Sequence, residues 1–440
     1  MLDPKLLERF EQFALSFIDE DGYPASIPVT VALIDGQIRL KVPRGFDPER
    51  LQSKIANLVA NHITPLPSGG YTDRRYIVFR GRVIHAEGGE LQLETFREYS
   101  WDEHKTPFPE YVEITTNSAR AYLESLGKRL GETFKPRLGL FWSFFRTVRL
   151  PFLLATLGPV LVGGGAAYYR GYFHPVLLLL TFAGLALIHM ALNLANDYYD
   201  TLLGADVVNR RPTPFSGGSR ALIYGLVSTT EARILFSSLF AAGVGVGAYL
   251  ALLRGPLEIA ILIVSGIFLA YFYTAPPFKL AYRGLGEFAV FAGFGPLIVL
   301  GTYFVQAGSL DSAALMASIP AGLLIMLILY VNEIPDALFD KEAGKRTLVT
   351  RLSKRGVMVL LAAFLLLVYL FIALIPVLSL GPPTVLIALT TIPLSLRVFK
   401  EVDRNFGNQY AMIPSMSLNV KNSVVTCILL AAGYFVGALL

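Results

Sequence analysis

From about residue 148 to the last residue, the chain is a series of long apolar runs separated by short polar segments. A run of about 18 or more apolar residues can cross the hydrocarbon core of a bilayer as a helix. Backbone groups in lipid must satisfy their own hydrogen bonds, so such runs fold as helices. The sequence predicts about nine spans, at residues 150–169, 175–195, 232–253, 256–274, 286–306, 312–332, 357–379, 382–398 and 422–440.

The composition supports a membrane protein with one soluble part. Hydrophobic residues make up 54% of the 440 residues and charged residues only 16%, whereas soluble domains average about 25% charged residues. Because residues 1–135 are more polar, we predict a soluble α+β domain there, an interfacial linker at 136–147 and a multi-pass all-α membrane bundle at 148–440. The single cysteine, Cys427, excludes a disulfide within the chain and a cysteine-based metal site.

Basic residues occur in alternate loops of the predicted bundle. Such alternation follows the positive-inside rule, which places these loops and the N-terminal domain on the cytoplasmic side of the cell membrane. Residues 1–9 are charged and no apolar core follows them, so no signal peptide is expected. Orientation explains the basic loops better than nucleic-acid binding does. The basic residues are Arg210, Arg211 and Arg220 after the second span, Lys279 and Arg283 after the fourth, Lys341, Lys345, Arg346, Arg351, Lys354 and Arg355 after the sixth, and Lys400 and Arg404 after the eighth.

Two acidic clusters lie at the ends of the second and sixth apolar runs, on the same predicted side. Carboxylates next to hydrocarbon are costly and usually functional. Their helical spacing puts each cluster on one helix face, and hard oxygen ligands of this kind suit Mg²⁺ bound together with substrate phosphates. The alternative is a pair of solvated helix ends, which the recurrence on one side disfavours. The clusters are Asn196, Asp197 and Asp200, and Asn332, Asp336 and Asp340.

Basic and aromatic side chains near the clusters suit a diphosphate substrate. Arg and Lys bind phosphate oxygens well, although the positive-inside bias alone would also place them here. Aromatic faces can stabilise a cation, although an interfacial aromatic belt is the alternative. The candidates are Arg220, Lys279, Arg283, Lys345 and Arg346 for the diphosphate, Tyr198, Tyr273 and Tyr282 for a cation, and the amides of residues 216–219 as a cradle for an anion.

These motifs resemble the UbiA superfamily of intramembrane aromatic prenyltransferases over roughly residues 145–440. Asn196, Asp197 and Asp200 match the family pattern NDxxDxxxD, but its last position falls on Gly204 and an acid follows only at Asp206. The second pattern, DxxxD, matches Asp336 and Asp340. In motif form the chain is most similar to the subgroup that prenylates 1,4-dihydroxy-2-naphthoate on the way to menaquinone.

The resemblance implies a nine-helix bundle around a cavity that holds a polyprenyl diphosphate and an aromatic acceptor. It implies that ionisation of the donor gives an allylic cation, which the acceptor ring attacks. Asp197, Asp200, Asp336 and Asp340 would be catalytic. The implied ligands of Mg²⁺ are Asn196, Asp200, Asp206, Asp336 and Asp340.

The N-terminal domain has a different pattern. The sequence predicts a helix over 2–17, a hairpin with strands at 27–34 and 38–42, strands at 76–86 and 112–114, and a helix over 118–128. Residues 21–26 and 81–83 resemble the split barrel of pyridoxamine-phosphate-oxidase-like proteins. That resemblance implies a flavin site, and a cofactor-free assembly or regulatory module is the alternative.

Other functions remain open at this point. The acceptor could instead be 4-hydroxybenzoate, a tetrapyrrole or an archaeal glycerol-phosphate lipid. A flavin- and quinone-dependent membrane redox protein is a further alternative. An ion transporter would be expected to show internal repeats and charges near mid-span, and the chain has its acids at span ends.

Overall fold

The computed structural model describes residues 7–34, 36–65, 71–85, 90–106, 108–131, 140–209 and 213–440. These residues form two compact units, Met1–Thr116 and Asn117–Leu440. The predicted linker at 136–147 begins outside the described residues, so the predicted domain boundaries stay predictions. Asp35 of the predicted hairpin turn and the loop residues Arg210 and Arg211 also lie outside them.

The first unit is a seven-stranded antiparallel sheet in the order β2-β1-β5-β6-β7-β4-β3. The two edge strands are consecutive in sequence and separated only by Val29, so the sheet curls round into a half-barrel. The strands are β1 (Gln12–Ile18), β2 (Pro24–Pro28), β3 (Thr30–Ile34), β4 (Gln37–Lys41), β5 (Ile55–Pro65), β6 (Tyr71–His85) and β7 (Leu91–Asp102).

Alternating burial explains where the sequence predictions for this unit succeed and fail. The predicted hairpin is confirmed where β3 pairs with β4, from Thr30↔Lys41 to Ile34↔Gln37. The predicted strand at 27–34 is too long, because its first residues belong to β2, which pairs with β1 instead. The predicted helix over 2–17 is wrong at β1, where Leu15 and Phe17 are buried on alternate positions of a strand. The predicted strand at 112–114 is also wrong, since it lies within helix α1 (Phe108–Leu130).

The second unit is helical, and among its described residues seven helical segments are long and apolar enough to cross a membrane. They are Leu150–Tyr169, Pro175–Leu202, Thr229–Arg254, Gly286–Ala307, Ser312–Glu342, Lys354–Val377 and Met412–Gly437. The α-helices of the unit are α2 (Leu140–Thr147), α3 (Leu154–Tyr169), α4 (Pro175–Leu202), α5 (Ala205–Val208), α6 (Thr229–Arg254), α7 (Pro256–Tyr271), α8 (Gly286–Ala292), α9 (Ile298–Ala307), α10 (Ser312–Glu342), α11 (Leu348–Arg351), α12 (Lys354–Val377), α13 (Ile392–Asn405) and α14 (Met412–Gly437).

The predicted count of about nine spans is not confirmed. The fourth predicted run forms α7, whose 16 residues reach about 24 Å at 1.5 Å per residue, short of the roughly 30 Å core. The eighth run forms a 3₁₀-helix at Pro383–Thr391 followed by α13. Pro393 lacks the N–H that an α-helix continuous through both segments would need at that position.

Helix α10 is the most buried of the membrane-length helices, and it positions the second acidic cluster. It packs closely against the segment that joins α8 to α9. A Cβ atom at Gly295 would lie 2.6 Å from the carbonyl oxygen of Ser318, so only glycine permits this approach. The close contact holds the N-terminal half of α10, which contains Ser318, against that segment.

Candidate active site

The structure brings the two acidic clusters together. Helix α4 contributes its cluster from its last two turns, and α10 does the same from the opposite wall. Both clusters line one cavity of about 220 Å³, which we call the polar cavity. Its polar and charged lining includes Asn196, Asp197, Asp200, Asp206, Asn332, Glu333, Asp336, Asp340 and Lys345.

The loop after α5 holds two of the aspartates through its backbone. The amide of Ser219 donates to Oδ2 of Asp197 at 2.9 Å, and the amide of Gly217 donates to Oδ2 of Asp336 at 3.1 Å. Gly218 adopts a φ of +72°, and a Cβ atom there would lie 2.8 Å from Oδ2 of Asp206. The predicted anion cradle is therefore occupied by carboxylates of the protein itself.

Asp200 is bound by a tyrosine and a lysine. The hydroxyl of Tyr282 donates to Oδ1 of Asp200 at 2.7 Å, and Nζ of Lys345 donates to Oδ2 at 2.8 Å. Nζ of Lys345 also lies 4.0 Å from Asp340. Burial disfavours the charge on Lys345, but Asp200 and Asp340 outweigh it and raise the pKa of the ammonium well above its usual range. Lys345 is therefore a fixed positive charge among the carboxylates.

Asp206 reaches the polar cavity although it is displaced from the family pattern. Gly204 turns the chain with a φ of +86° at the end of α4, and Asp206 follows on the short helix α5. Arg220 donates to the backbone carbonyls of Asp206 and Asn209. Burial and the nearby carboxylates of Asp200 and Asp197 raise the pKa of Asp206 well above its usual value.

The five side chains predicted to bind the diphosphate do not all reach the polar cavity. Lys345 is the one predicted diphosphate ligand that the polar cavity's lining includes, within the described part of the chain. Arg220 is buried behind Asp206, Lys279 lies 5.9 Å from the Tyr282 ring, and Arg283 and Arg346 are exposed. Their roles as diphosphate ligands stay predictions.

The three predicted aromatic residues also differ. Tyr273 lines the cavity and Tyr282 binds Asp200, whereas Tyr198 packs on Phe236 with ring centroids 5.5 Å apart. Asn196 accepts a hydrogen bond from Thr274 at 2.9 Å. His189 is buried, and its Nδ1 lies 2.7 Å from the hydroxyl of Thr156.

A second, apolar cavity of about 180 Å³ adjoins the polar one. It lies among α4, α6, α7 and α9 and is lined mainly by Leu, Ile, Val and Gly side chains. The two cavities share five lining residues, so a ligand with a polar head and an apolar tail fits across both. The shared residues, which we call the junction, are His189, Leu192, Tyr273, Val290 and Phe294.

Sequence reasoning missed several residues of this site. Arg149 lines the polar cavity just before the first span, and Asn209 donates to Oδ1 of Asp336 at 3.2 Å. Glu333 also lines the cavity, and Glu287 is buried beside it. The sequence did contain a signal for the two glutamates. Both are acids within apolar runs, and this placement is energetically costly, as it is for the aspartates.

The donor set is one of hard oxygens, but it is not a preformed cage. Within the described residues, no group of three or more His, Cys, Asp or Glu side chains could hold a metal ion. Mg²⁺ typically binds through one or two carboxylates together with waters and substrate phosphates. Carboxylates spread along both walls of a cavity fit that mode of binding.

Comparison with known proteins assigns the family. Residues 156–411, more than half of the chain, match the model of the UbiA prenyltransferase family. The 1,4-dihydroxy-2-naphthoate octaprenyltransferase of Escherichia coli K12 is 29% identical over 298 residues, which are 67% of this chain and 95% of that protein. The enzyme of the same name from Mycobacterium tuberculosis H37Rv is 31% identical over 257 residues, 58% of this chain and 83% of the relative.

The solved structures to which the chain is similar are more distant in sequence. A UbiA homolog from Archaeoglobus fulgidus bound to GPP and Mg²⁺ is 16% identical, with a TM-score of 0.48 over 66% of this chain and 99% of that one. The family model begins at residue 156, so the split-barrel and flavin expectations for the N-terminal unit stay predictions. By the family match, the chain belongs to the UbiA prenyltransferase family and is a prenyltransferase.

Proposed function

We propose that the protein transfers a polyprenyl group from a polyprenyl diphosphate to 1,4-dihydroxy-2-naphthoate in menaquinone biosynthesis, with Mg²⁺ as cofactor. The observation that carries the proposal is the polar cavity joined to an apolar one at a shared junction. A diphosphate fits the first cavity and an isoprenoid tail fits the second. Relatives that bear the naphthoate name, and the motif form of the acidic clusters, favour this acceptor.

Mg²⁺ would be held by oxygens from both helices. Asp200, Asp336 and Asp340 are the main candidates, with Asn196 and Asp206 beside them. When bound, Mg²⁺ would neutralise the diphosphate and so favour its departure. Lys345 would supply a further positive charge for the phosphate oxygens, because it already lies among these carboxylates.

The remaining lining would shape the reaction. Phe294 and Tyr273 lie at the junction, where the reacting carbon of the donor would sit between its head and tail. Burial, followed by the charges of nearby carboxyl groups, raises the pKa of Tyr273 well above its usual range, so its ring stays neutral. A neutral aromatic face can shield an allylic cation without reacting with it.

The location is proposed from the basic residues that follow both acidic clusters, since basic loops favour the cytoplasmic side. We propose that the protein resides in the cell membrane with the polar cavity toward the cytoplasm, from which the aromatic acceptor and Mg²⁺ would enter. The ion-transporter alternative is wrong, because the chain belongs to a family of prenyltransferases.

The test is a turnover assay on the purified full-length protein in lipid nanodiscs. The protein is incubated with Mg²⁺, a radiolabelled polyprenyl diphosphate and, separately, 1,4-dihydroxy-2-naphthoate, 4-hydroxybenzoate, a tetrapyrrole acid and a glycerol-phosphate lipid. We expect a prenylated product with the naphthoate and none after chelation of the metal. Product from another acceptor alone would move the assignment to that acceptor, and no product from any acceptor would refute the proposal.

A further inference from the structure

Two buried glutamates adjoin the aspartates without belonging to the predicted site. Glu333 and Glu287 are 7% and 2% exposed, and Asn332 beside them is 8% exposed. Glu333 lies on α10 and lines the polar cavity, whereas Glu287 lies on α8 and its Oε1 accepts a hydrogen bond from the amide of Leu348 at 2.8 Å. The carboxyl groups of the two glutamates lie close enough to influence each other's charge.

Two neighbouring buried carboxyl groups favour a single negative charge between them, because two adjacent carboxylates repel each other. In the described part of the protein, Oε2 of each glutamate receives no hydrogen bond from an N–H or O–H donor. Burying such an oxygen without a donor is costly. The pair therefore retains proton-accepting capacity that the folded protein does not use.

The amide oxygen of the neighbouring Asn332 also lacks a hydrogen-bond donor among the described residues. This Oδ1 atom is buried, and Asn332 lines the polar cavity. The wall formed by α10 thus presents two consecutive acceptors without donors. Tyr273, at the junction, lies close enough to Glu333 to feel its charge. The unsatisfied acceptors are therefore near the point where the donor's reacting carbon would sit.

The aspartates are less suited to accept a proton from a substrate. Both oxygens of Asp200 are bound by Tyr282 and Lys345, and those of Asp336 by Asn209 and Gly217. They are also the candidate ligands of the metal. Glu333 has a buried carboxyl oxygen without a donor among the described residues, and it is not one of the candidate ligands of the metal.

We propose that Glu333 is a catalytic residue that accepts the hydroxyl proton of a phenolic acceptor, with Glu287 as its positioning residue and Asn332 as a second hydrogen-bond acceptor. The inference rests on the proposed prenyl transfer. The ring carbon forms a bond to the first carbon of the prenyl group while the bond from that carbon to the diphosphate oxygen breaks, and diphosphate leaves with the electron pair. The O–H pair of the acceptor becomes a C=O bond, its proton passes to Glu333, and the ring stays neutral.

The competing interpretation is a structural one, in which the pair only ties α8 to α10 and to the segment at Leu348. The variant Glu333→Gln separates the two interpretations. Glutamine has nearly the same shape and can donate a hydrogen bond to Glu287, so it preserves the tie between the helices. It cannot take a proton from the acceptor.

The experiment measures kcat for the wild type and E333Q with a series of hydroxynaphthoates whose hydroxyl groups differ in acidity. With the least acidic acceptor we expect a loss of about 10²-fold or more, typical of a missing general base. The loss should shrink toward unity as the acceptor's hydroxyl becomes more acidic, because an ionised acceptor needs no base. Binding of the Mg²⁺–polyprenyl diphosphate complex should be unchanged. Glu342→Gln, an exposed acid on the same helix, is the matched control.

A loss that is the same for every acceptor, or no loss at all, would overturn the role of Glu333. If E333Q is not recovered as folded protein, Glu333→Asp is tested instead. Aspartate keeps the carboxyl group but is shorter by one methylene, and its loss of kcat should again shrink as the acceptor's hydroxyl becomes more acidic. A wild type that prenylates none of the acceptors would instead refute the proposed function and leave no rate for E333Q to change. The two failures are therefore distinguishable.

Discussion

The two units of the chain use charged side chains in opposite ways. In the N-terminal unit, Arg74 and Glu103 pair at 2.6 Å with side chains 25% and 23% exposed. In the helical unit, Lys345 and Asp200 pair at 2.8 Å with side chains 15% and 14% exposed, and further carboxylates share their cavity. Exposed pairs contribute little to stability, whereas groups withheld from water carry a desolvation cost of several kcal/mol. Several buried acids in one cavity all carry this desolvation cost, and their presence therefore indicates a bound ligand. Separate pairs near the surface give no such indication.

Removing a carboxylate from the polar cavity should have the largest effect. We expect Asp200→Ala and Asp336→Ala each to lower kcat by about 10²-fold or more, as loss of a charge-stabilising group does at other enzyme sites. The measurement is release of labelled diphosphate from nanodisc-embedded protein at saturating acceptor. Both variants should still insert and unfold cooperatively, with Glu342→Gln as the control, although Asp200→Ala should unfold at a lower temperature because it breaks the pair with Lys345. Near-wild-type turnover in either variant would remove that residue from the metal site.

Removing the cation of the buried pair should come next. Breaking one partner out of a buried ion pair costs about 3 kcal/mol or more, so Lys345→Met should lower the free energy of unfolding by roughly that amount at pH 7. The folded-state pKa of Lys345 is raised, so its contribution is complete below the unfolded value of about 10.4 and is lost only as pH rises through the folded one.

The check is to follow chemical unfolding of the wild type and K345M from pH 7 upward. The gap between them should close only well above pH 10. Lys345→Arg, which keeps the charge, should recover part of the stability and of the donor's apparent affinity. A gap that is absent at pH 7, or one that closes by pH 9, would show that Lys345 is not held by Asp200 and Asp340.

The difference between the two units also explains how much of the structure could be predicted from the sequence. Apolar runs and helical spacing located both acidic clusters, because a membrane imposes strong rules on which residues it tolerates. They could not show that Glu287 meets Glu333 or that Gly217 binds Asp336, because those contacts depend on how distant segments pack. In the N-terminal unit the rules are weaker. The apolar residues of 12–18 fit both a helical and a strand spacing, and pairing with β2 and β5 selects the strand.

Gly218 offers a smaller and more local test of the polar cavity. Its φ of +72° lies in the left-handed region, and an added Cβ atom would lie 2.8 Å from Oδ2 of Asp206 and 3.1 Å from Oδ1 of Asp197. Gly218→Ala should cost about 1–2 kcal/mol for the backbone conformation and should also displace a carboxylate, which raises the Mg²⁺ concentration needed for half-maximal turnover.

The matched control is Gly225→Ala. Gly225 has a φ of +67°, but nothing lies within 4 Å of the added Cβ atom. Both variants should therefore lose similar unfolding free energy from backbone strain, and only G218A should change the Mg²⁺ requirement in a titration of activity. An equal Mg²⁺ requirement in the two variants would mean that the Gly218 turn does not position the acids.

The smallest effect is expected from the partly exposed pair of the N-terminal unit, Arg74 and Glu103. Glu103→Gln should lower the unfolding free energy of that unit by less than about 1 kcal/mol, the range for partly exposed ion pairs. The hydrogen bond from Arg74 lowers the pKa of Glu103 despite partial burial. A depressed folded-state pKa means that the stabilisation is present above the unfolded value of about 4.3 and is lost as pH falls through the folded one. Hydrogen exchange of the β6 and β7 amides at pH 7 and at pH 3 measures the difference. A loss comparable to that of K345M, or one that persists at the lower pH, would break the contrast between surface pairs and the acids of the polar cavity.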